Sequence, residues 1–569
     1  MTASTYDVAV VGGGPGGATV GALLKKYAPN LSVAIIEREN FPREHVGESQ
    51  LPPIGRILHE MGAWDKVEAA NFVIKLGATY TWGKTRDPWV FGFIPDEEVR
   101  DDPRPAPFEG WRQRVALQVD RAIYDDILLK HAASMGCEVL QPKAVKTVVH
   151  EGDEIRCLQL SDGTELKARY YVDASGNAAV IRRALGVQIE TPTLLQNVAF
   201  WDYWSKPGMN QSLLTSKAIR VQIRSLPYGW IWYIALDDNR TSVGVVCPGT
   251  YFKASGLTPE KLYADSLAQE ASIAKLLEGA ERDNEVRRTT DWSYVAERGH
   301  GKNWFLTGEA LGFADPILAA GLTLTHSSAR HCAYVILELE RKEHDRNWLL
   351  QQYDAIQLKR VRQHIKFAEY WYSANGCFTD LQEHCSAIAQ QSGLKLSPDA
   401  AFRWLSNGGI DDDFGTSAIG GLSVSGIRGI QWRLGHESDA PITNNVHGKT
   451  HFKLRLEGAT KIQLPVLGDG KVHKIDAYVR DGETLPLAGG YKIAHDVLQT
   501  AVQASELMEG LKRYMSQFPK DSHQQLFDVT IQCLELMVVN GWVKTSQKPG
   551  KPALAVSSPK EGRIIYSAK

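Results

Sequence analysis

The chain opens on the strongest apolar run near its start. Tyr6-Asp-Val-Ala-Val-Val11 reads as a buried parallel strand, followed by glycines and a helix to about Lys26. Ser32–Glu37 is a second apolar strand that ends in an acid. A loop at 40–51 leads to helical periodicity near 53–70, and a strand spans 72–82. Residues 85–112 are rich in Pro, Asp and Trp and predict an irregular excursion. A helix begins near Asp120. Short β-like runs occupy about 138–172 and 195–248. A strand at 302–308 precedes a long helix to about 342, and helical periodicity continues to about 374.

Beyond that point the pattern changes. Residues 405–450 are rich in Gly, Ser, Asp and Asn, an irregular connection. Strand-like runs at 451–464, two helices near 490–516 and 522–540, and a short apolar run at 552–556 predict a small α+β domain. The expected organisation is α/β. A Rossmann-like core spans 1–345, with an inserted substrate β-sheet at about 72–112 and 190–295. A helical extension (346–404) and an appended C-terminal domain (405–569) follow.

Composition narrows the function. The 569 residues exceed one core, so several domains are expected. A formal net charge of −2 gives no field favouring nucleic acid or anionic membrane. The apolar stretches fall short of the roughly 18–20 residues of a spanning helix, so no membrane partner is expected. The N-terminus enters a strand with no basic leader. Seven scattered cysteines without a C-x-x-C pair argue against a disulfide framework or a metal cluster, and a reducing cytoplasm fits them.

Gly12-Gly13-Gly14-Pro15-Gly16-Gly17 supplies G-x-G-x-x-G between strand and helix. Gly12 permits the turn, Gly14 lets a pyrophosphate approach the backbone, and Gly17 lets helix and strand pack closely. Glu37, 20 residues after Gly17, stands where a carboxylate accepts adenosine ribose hydroxyls, with Arg38 beside it. No second such loop occurs, so a nicotinamide domain is not visible.

Residues 304–321, WFLTGEALGFADPILAAG, resemble the second flavin motif of the FAD monooxygenase superfamily through Gly308, Asp315, Pro316 and Gly321. Glu309 stands where that superfamily usually has Asp. Asp173-Ala-Ser-Gly176 resembles its D-A-S-G segment, and Gln118 and Arg121 match its pyrophosphate-binding arginine region. Trp230, Trp232 and Ile234 resemble the W-x-W-x-I-P signature of flavin-dependent halogenases, with Ala235 in place of the proline. FPREHVGESQLPP at 41–53 resembles the halogenase strap over the flavin, including Arg43, Gly47, Glu48 and Ser49. The strand 72–82 resembles the one that bears the family's lysine, here Lys75.

The resemblance implies a fold, a cofactor and a reaction. FAD would enter as FADH2 from a flavin reductase. Chloride or bromide at the Ala320–Gly321 turn would become hypohalous acid. Trp230 and Trp232 would wall off the flavin, and Lys75 would direct the oxidant to an electron-rich ring. Leu318 replaces the glutamate of tryptophan halogenases, so the stretch resembles halogenases of phenols, pyrroles and carrier- or peptide-bound substrates in natural-product biosynthesis. An FAD-dependent hydroxylase or a geranylgeranyl-reductase-like oxidoreductase is the alternative. Simple alternation along 72–82 puts Lys75 on one face with Val73, Gly77, Thr79 and Thr81. Phe72, Ile74, Leu76, Ala78, Tyr80 and Trp82 would then lie on the other.

Overall fold

The structure is a computed structural model that describes residues 3–214, 218–289, 293–392, 445–556 and 565–567. Its chain divides into two compact units, one holding residues up to Gly393 and the other spanning Leu394–Ile565.

In the first unit, strand Ala3–Val11 lies between Val33–Ile36 and Glu165–Asp173, all parallel. Glu138–Leu140 extends one side. Trp304–Leu306 runs parallel to Glu165–Asp173 on the other. Parallel strands need both faces covered. Val8, Ala9 and Val10 have no exposed surface, and the helix Pro15–Tyr27 is buried at every position from Pro15 to Leu24. The helix Gly321–Arg341 packs against it, where a Cβ on Gly16 would meet Thr325 Cγ2 at 3.1 Å. The helical region predicted near 53–70 is two helices, Pro53–Met61 and Trp64–Ala69, because Gly62 turns left-handed at φ +81° and ends the first.

The second sheet includes, as successive neighbours, Asn197–Ser205, Arg240–Pro248, Gly229–Ala235, Ala218–Leu226, Val73–Thr81 and Trp89–Gly92. The segment predicted as an irregular excursion thus contributes the strand Trp89–Gly92. Ile231, Tyr233, Val243 and Val245 share one face of the sheet. They pack with Leu262, Tyr263, Leu267 and Ile273 from the helices Pro259–Gln269 and Ala271–Leu276. That leaves Trp230, Trp232 and Ile234 on the opposite face.

A β-bulge corrects the face assignment of the lysine strand. Lys75 pairs with Ile219, but Gly77 pairs with Arg220, Ala78 with Val221 and Tyr80 with Ile223. Leu76 is the extra residue, and the alternation reverses across it. Lys75 is therefore in phase with Ala78, Tyr80 and Trp82, not with Thr79 and Thr81. The neighbouring strand agrees: Phe91 pairs with Ala78, and the Lys75 ammonium sits 5.6 Å over the ring of Phe93, two residues on. Ile223 also pairs with Trp232, so Lys75, Tyr80, Trp82, Trp230 and Trp232 share one face. Gly77 makes the bulge possible; it sits at φ +148°, and a Cβ there would lie 1.9 Å from the Phe91 carbonyl oxygen.

The helices Arg346–Ser373 and Gln382–Gln391 occupy the region predicted as a helical extension, and they belong to the first compact unit. Residues 393–404 of that predicted segment lie outside the described residues. Trp371 and Tyr372 of the longer helix pack into the aromatic face. Trp82 Nε1 donates to the Trp371 carbonyl at 2.8 Å, and the Trp371 ring lies 5.1 Å from Tyr80.

In the second unit, strand His451–Leu454 pairs antiparallel with Val543–Ser546. A three-stranded antiparallel meander spans Thr460–Gly468, Lys471–Arg480 and Glu483–Pro486. Three helices follow, Gly489–Leu498, Ala504–Met515 and His523–Val539. The helix predicted over 490–516 is thus two, because Gln503 and Glu506 form a capping box that starts a new one. The run 552–556 forms no strand; it buries Leu554 and Val556 in the core of this unit. Most of the predicted connection 405–450 lies outside the described residues.

Candidate functional site

The glycine loop is shaped by close backbone approach. Gly12 has φ +107°, and a Cβ there would lie 2.3 Å from the Ala174 carbonyl oxygen. A Cβ on Gly17 would lie 1.9 Å from the Gly12 carbonyl oxygen. Gly14 caps the helix Pro15–Tyr27 with no side-chain hydrogen bond, so the first-turn N–H groups receive no side-chain acceptor. Glu37 is buried, and its carboxylate accepts from the Gly13 N–H at 2.7 Å and the Glu39 N–H at 2.9 Å. Arg38 points outward and pairs with Glu39. Arg43 lies over the loop: one guanidinium nitrogen would be 3.4 Å from a Cβ on Gly14, and another is 3.4 Å from Asp125 Oδ2.

Asp173 and Arg121 hold the protein around this loop. The Asp173 carboxylate accepts from Ser175 N–H and Oγ–H and from the N–H groups of Ile181 and Arg182, at 2.5–3.2 Å. Through these donors Asp173 organises the turn that presses on Gly12. Arg121 is buried and forks onto Asp125 at 2.7 and 2.9 Å. It also donates to the carbonyls of Val46 and Gly47 at 2.8 and 3.3 Å. It thereby anchors the strap at 41–53. Glu309, the departure from the usual Asp, lies 3.9 Å from a Cβ built on Gly176. Burial raises its pKa, and Arg121 opposes that shift.

The strap adds a short edge to the sheet. Gln50 N–H donates to the Leu117 carbonyl at 3.0 Å and Val119 N–H to the Glu48 carbonyl at 2.8 Å. Ser49 bridges to Gln118. Tyr203 Oη donates to the buried Glu48 carboxylate at 2.9 Å, and burial pushes that carboxyl up to about 7. Lys75 donates to the Gln50 carbonyl at 2.8 Å. It is 3% exposed, and burial pushes its ammonium from 10.5 down to about 7.

The second flavin motif meets the tryptophan strand through a residue that local pattern does not reveal. Gly308 takes φ +56°, and its N–H donates to Ser328 Oγ at 2.8 Å. Asp315 accepts from the Ile317 N–H at 2.9 Å and from Asn197 Nδ2 at 2.8 Å. Tyr372 Oη donates to Asp315 at 3.2 Å and accepts from Trp230 Nε1 at 2.6 Å. Burial pushes the Asp315 carboxyl up to about 6. Ala319 turns left-handed at φ +52°, and the helix Gly321–Arg341 then starts at Ala320 with no side-chain cap. Its first-turn N–H groups face a position where an anion is favoured. Trp232 Nε1 donates to Ser242 Oγ at 3.2 Å, and a Cβ on Gly244 would lie 2.2 Å from the Trp232 ring.

These residues fit FAD. Besides the uncapped glycine helix and Arg43, several buried polar atoms have no hydrogen-bond partner among the described residues. They include both amide atoms of Gln118, Ser49 Oγ, Asn197 Oδ1 and Thr323 Oγ1. Buried groups of this kind are rare unless a ligand or water satisfies them. They lie on the strap, on the strand beside it, and on the segments that meet at the long helix. Sequence reasoning missed Gln50, Asn197 and Tyr372. Only for Asn197 was there a local signal, a polar residue opening the apolar run 198–201.

Comparison with known proteins identifies the family. A family model described as tryptophan halogenase matches residues 7–99 and 102–381. A 1H-pyrrole-2-carbonyl-[peptidyl-carrier protein] chlorinase of Pseudomonas fluorescens is 29% identical over 67% of this chain and 86% of its own length. A tryptophan 2-halogenase of Chondromyces crocatus is 30% identical over 57% of this chain and 60% of its own. Among solved structures, the myxobacterial chondrochloren halogenase CndH aligns with TM-score 0.58 and 26% identity over 76% of this chain and 97% of its own. The flavin-dependent halogenase CmlS shares the fold, with TM-score 0.71 and 24% identity over 99% of this chain and 100% of its own. The chain belongs to the tryptophan-halogenase family and is a flavin-dependent halogenase, an oxidoreductase that uses FADH2 and a halide.

Proposed function

We propose that the protein halogenates an electron-rich aromatic ring, a phenol or pyrrole, presented on a carrier protein or peptide, in natural-product biosynthesis. The observation that carries this reading is Lys75: a buried lysine with its amine pushed toward neutrality, in phase with Trp230 and Trp232 on one face of the sheet. FADH2 bound here, delivered by a flavin reductase, would supply together with O2 a peroxide-level oxidant that withdraws two electrons from halide, giving hypohalous acid and water.

This chain's own residues do the rest. The Ala320–Gly321 turn holds the halide by backbone N–H groups. Trp230 and Trp232 keep the organic substrate and water away from the flavin side. The neutral Lys75 amine takes the halogen from hypohalous acid: an N–halogen bond forms, the halogen–oxygen bond breaks, and water leaves. The Gln50 carbonyl orients that amine. Leu318, where tryptophan halogenases carry glutamate, suits a ring activated by its own hydroxyl or nitrogen. The chlorinase similarity, over 86% of that enzyme, favours a carrier-bound substrate. The seven cysteines are buried free thiols, the state a reducing cytoplasm maintains.

The test supplies purified protein with FAD, a flavin reductase, NADH, O2 and bromide or chloride. Free phenol or pyrrole acids are compared with the same acids on a carrier's phosphopantetheine arm. Halide-dependent product on the carrier, well above that on the free acid, is expected. Equal or better turnover of free acid overturns the carrier assignment. Product that carries oxygen without halide dependence overturns the halogenation reading.

A further inference from the structure

We propose that Tyr372, from the helix Arg346–Ser373, is a positioning residue for the halogenation reaction. Its hydroxyl ties the tryptophan wall to the Asp315 turn that presents the halide-binding helix N-terminus. The proposal rests on the reading of Ala320–Gly321 as the halide position.

The hydroxyl is saturated. It accepts from Trp230 Nε1 at 2.6 Å and Asn197 Nδ2 at 3.1 Å, and it donates to Asp315 Oδ1 at 3.2 Å. The ring is held edge-on to Trp82 at 5.8 Å and against Phe378 at 5.8 Å, so it has little freedom to swing away. Asp315 spends its remaining capacity on Asn197 Nδ2 at 2.8 Å and on the Ile317 N–H at 2.9 Å. That last bond fixes the single turn Pro316–Leu318, which delivers left-handed Ala319 and then Ala320 and Gly321. A fully buried Asp with no cation beside it among the described residues holds its place through such donors. Removing the Tyr372 hydroxyl takes one donor from Asp315 and leaves Trp230 Nε1 unpaired. Both consequences fall on parts that must hold still, the halide turn and the indole wall. Tyr372 itself acts through them.

The test is Tyr372→Phe in the full-length flavoprotein. The halide KM is expected to rise by about tenfold, the scale of one lost hydrogen bond to a charged group. Peroxide released per halogenated product should rise with it, while retained flavin stays at the wild-type level. In bromide-soaked crystals the anomalous peak at the Ala320–Gly321 turn should weaken in the variant. Asp315→Asn should also raise the halide KM, and the double variant should be no worse than the more impaired single one. An unchanged halide KM and unchanged peroxide yield overturn the proposal. So does a fall in kcat with lowered Tm but unchanged halide KM, the mark of a merely structural role. Should Tyr372→Phe not fold, Trp230→Phe removes one hydrogen bond to the same hydroxyl and must also raise halide KM; no rise overturns the proposal. Wild-type protein that shows no halide-dependent product, or no bromide peak at the turn, overturns the underlying site reading instead.

Discussion

Lys75 gives its hydrogen bond to the backbone carbonyl of Gln50, 2.8 Å away and 25 residues earlier in the chain. The strap therefore holds the lysine from the side of the flavin motif, while the bulge at Leu76 sets the direction in which its side chain leaves the sheet. A carbonyl acceptor brings no opposing charge, and burial pushes the ammonium toward its neutral form.

Lys75→Ala should abolish halogenated product while O2 uptake and peroxide release continue, because the flavin and halide positions are untouched. Lys75→Arg should fail as well, since a guanidinium does not deprotonate near neutrality. Oxygen-electrode and peroxide assays beside product analysis check both. A Lys75→Ala enzyme that still halogenates would sink the role assigned to this residue.

The rate of halogen transfer should rise with pH through about 7, where the Lys75 amine becomes neutral. Glu48 titrates in the same range, pushed up to about 7 by burial. The acid limb should therefore survive in Glu48→Gln if it belongs to the lysine, and rapid-mixing measurements over the pH series decide this.

Stability carries the same titration. The folded-state pKa of Lys75 lies below its ordinary 10.5, at about 7. Between those values the unfolded chain binds more protons than the folded one, so this group's contribution to stability rises with pH across that window. Its burial penalty is complete below about pH 7 and gone above 10.5. Lys75→Met should accordingly raise Tm most near about pH 6 and little near about pH 10. An equal gain at both pH values would contradict a lysine buried as a weak base.

Gly244→Ala should leave FAD bound but displace the Trp232 ring, which a Cβ there would approach to 2.2 Å. Overpacking of this kind costs about 1–3 kcal/mol. The expected readout is a several-fold fall in halogenated product per FADH2 consumed, with extra peroxide. Unchanged coupling would show that Trp232 does not guard the flavin.

Gly17→Ala should behave differently, losing flavin rather than coupling. Its Cβ would lie 1.9 Å from the Gly12 carbonyl oxygen, so the loop must open. FAD retained after gel filtration should fall at least about tenfold, with a loss of ~2 kcal/mol in stability.

Much of the site was legible along the chain because its parts are local. The glycine loop needs only a strand, a turn and a helix in succession, and the Asp315–Gly321 turn is likewise continuous. The lysine strand was legible as a strand but not in its facing. Alternation assigns faces only while the register is unbroken, and the Leu76 bulge arises from pairing with Ala218–Leu226, far along the chain. For Asp173 the motif was legible along the chain, while the donors that hold its carboxylate, from Ser175, Ile181 and Arg182, became visible only in the folded turn.

What the sequence by itself determined is the cofactor cradle and the family, since close backbone approach demands glycine at set spacings and nothing distant can substitute for it. What only the tertiary structure decided is how Lys75, Trp230 and Tyr372 come together. Their meeting depends on a bulge, on a strand order that pairs distant segments, and on a helix laid over the aromatic face. Those are outcomes of packing among segments that no local pattern encodes.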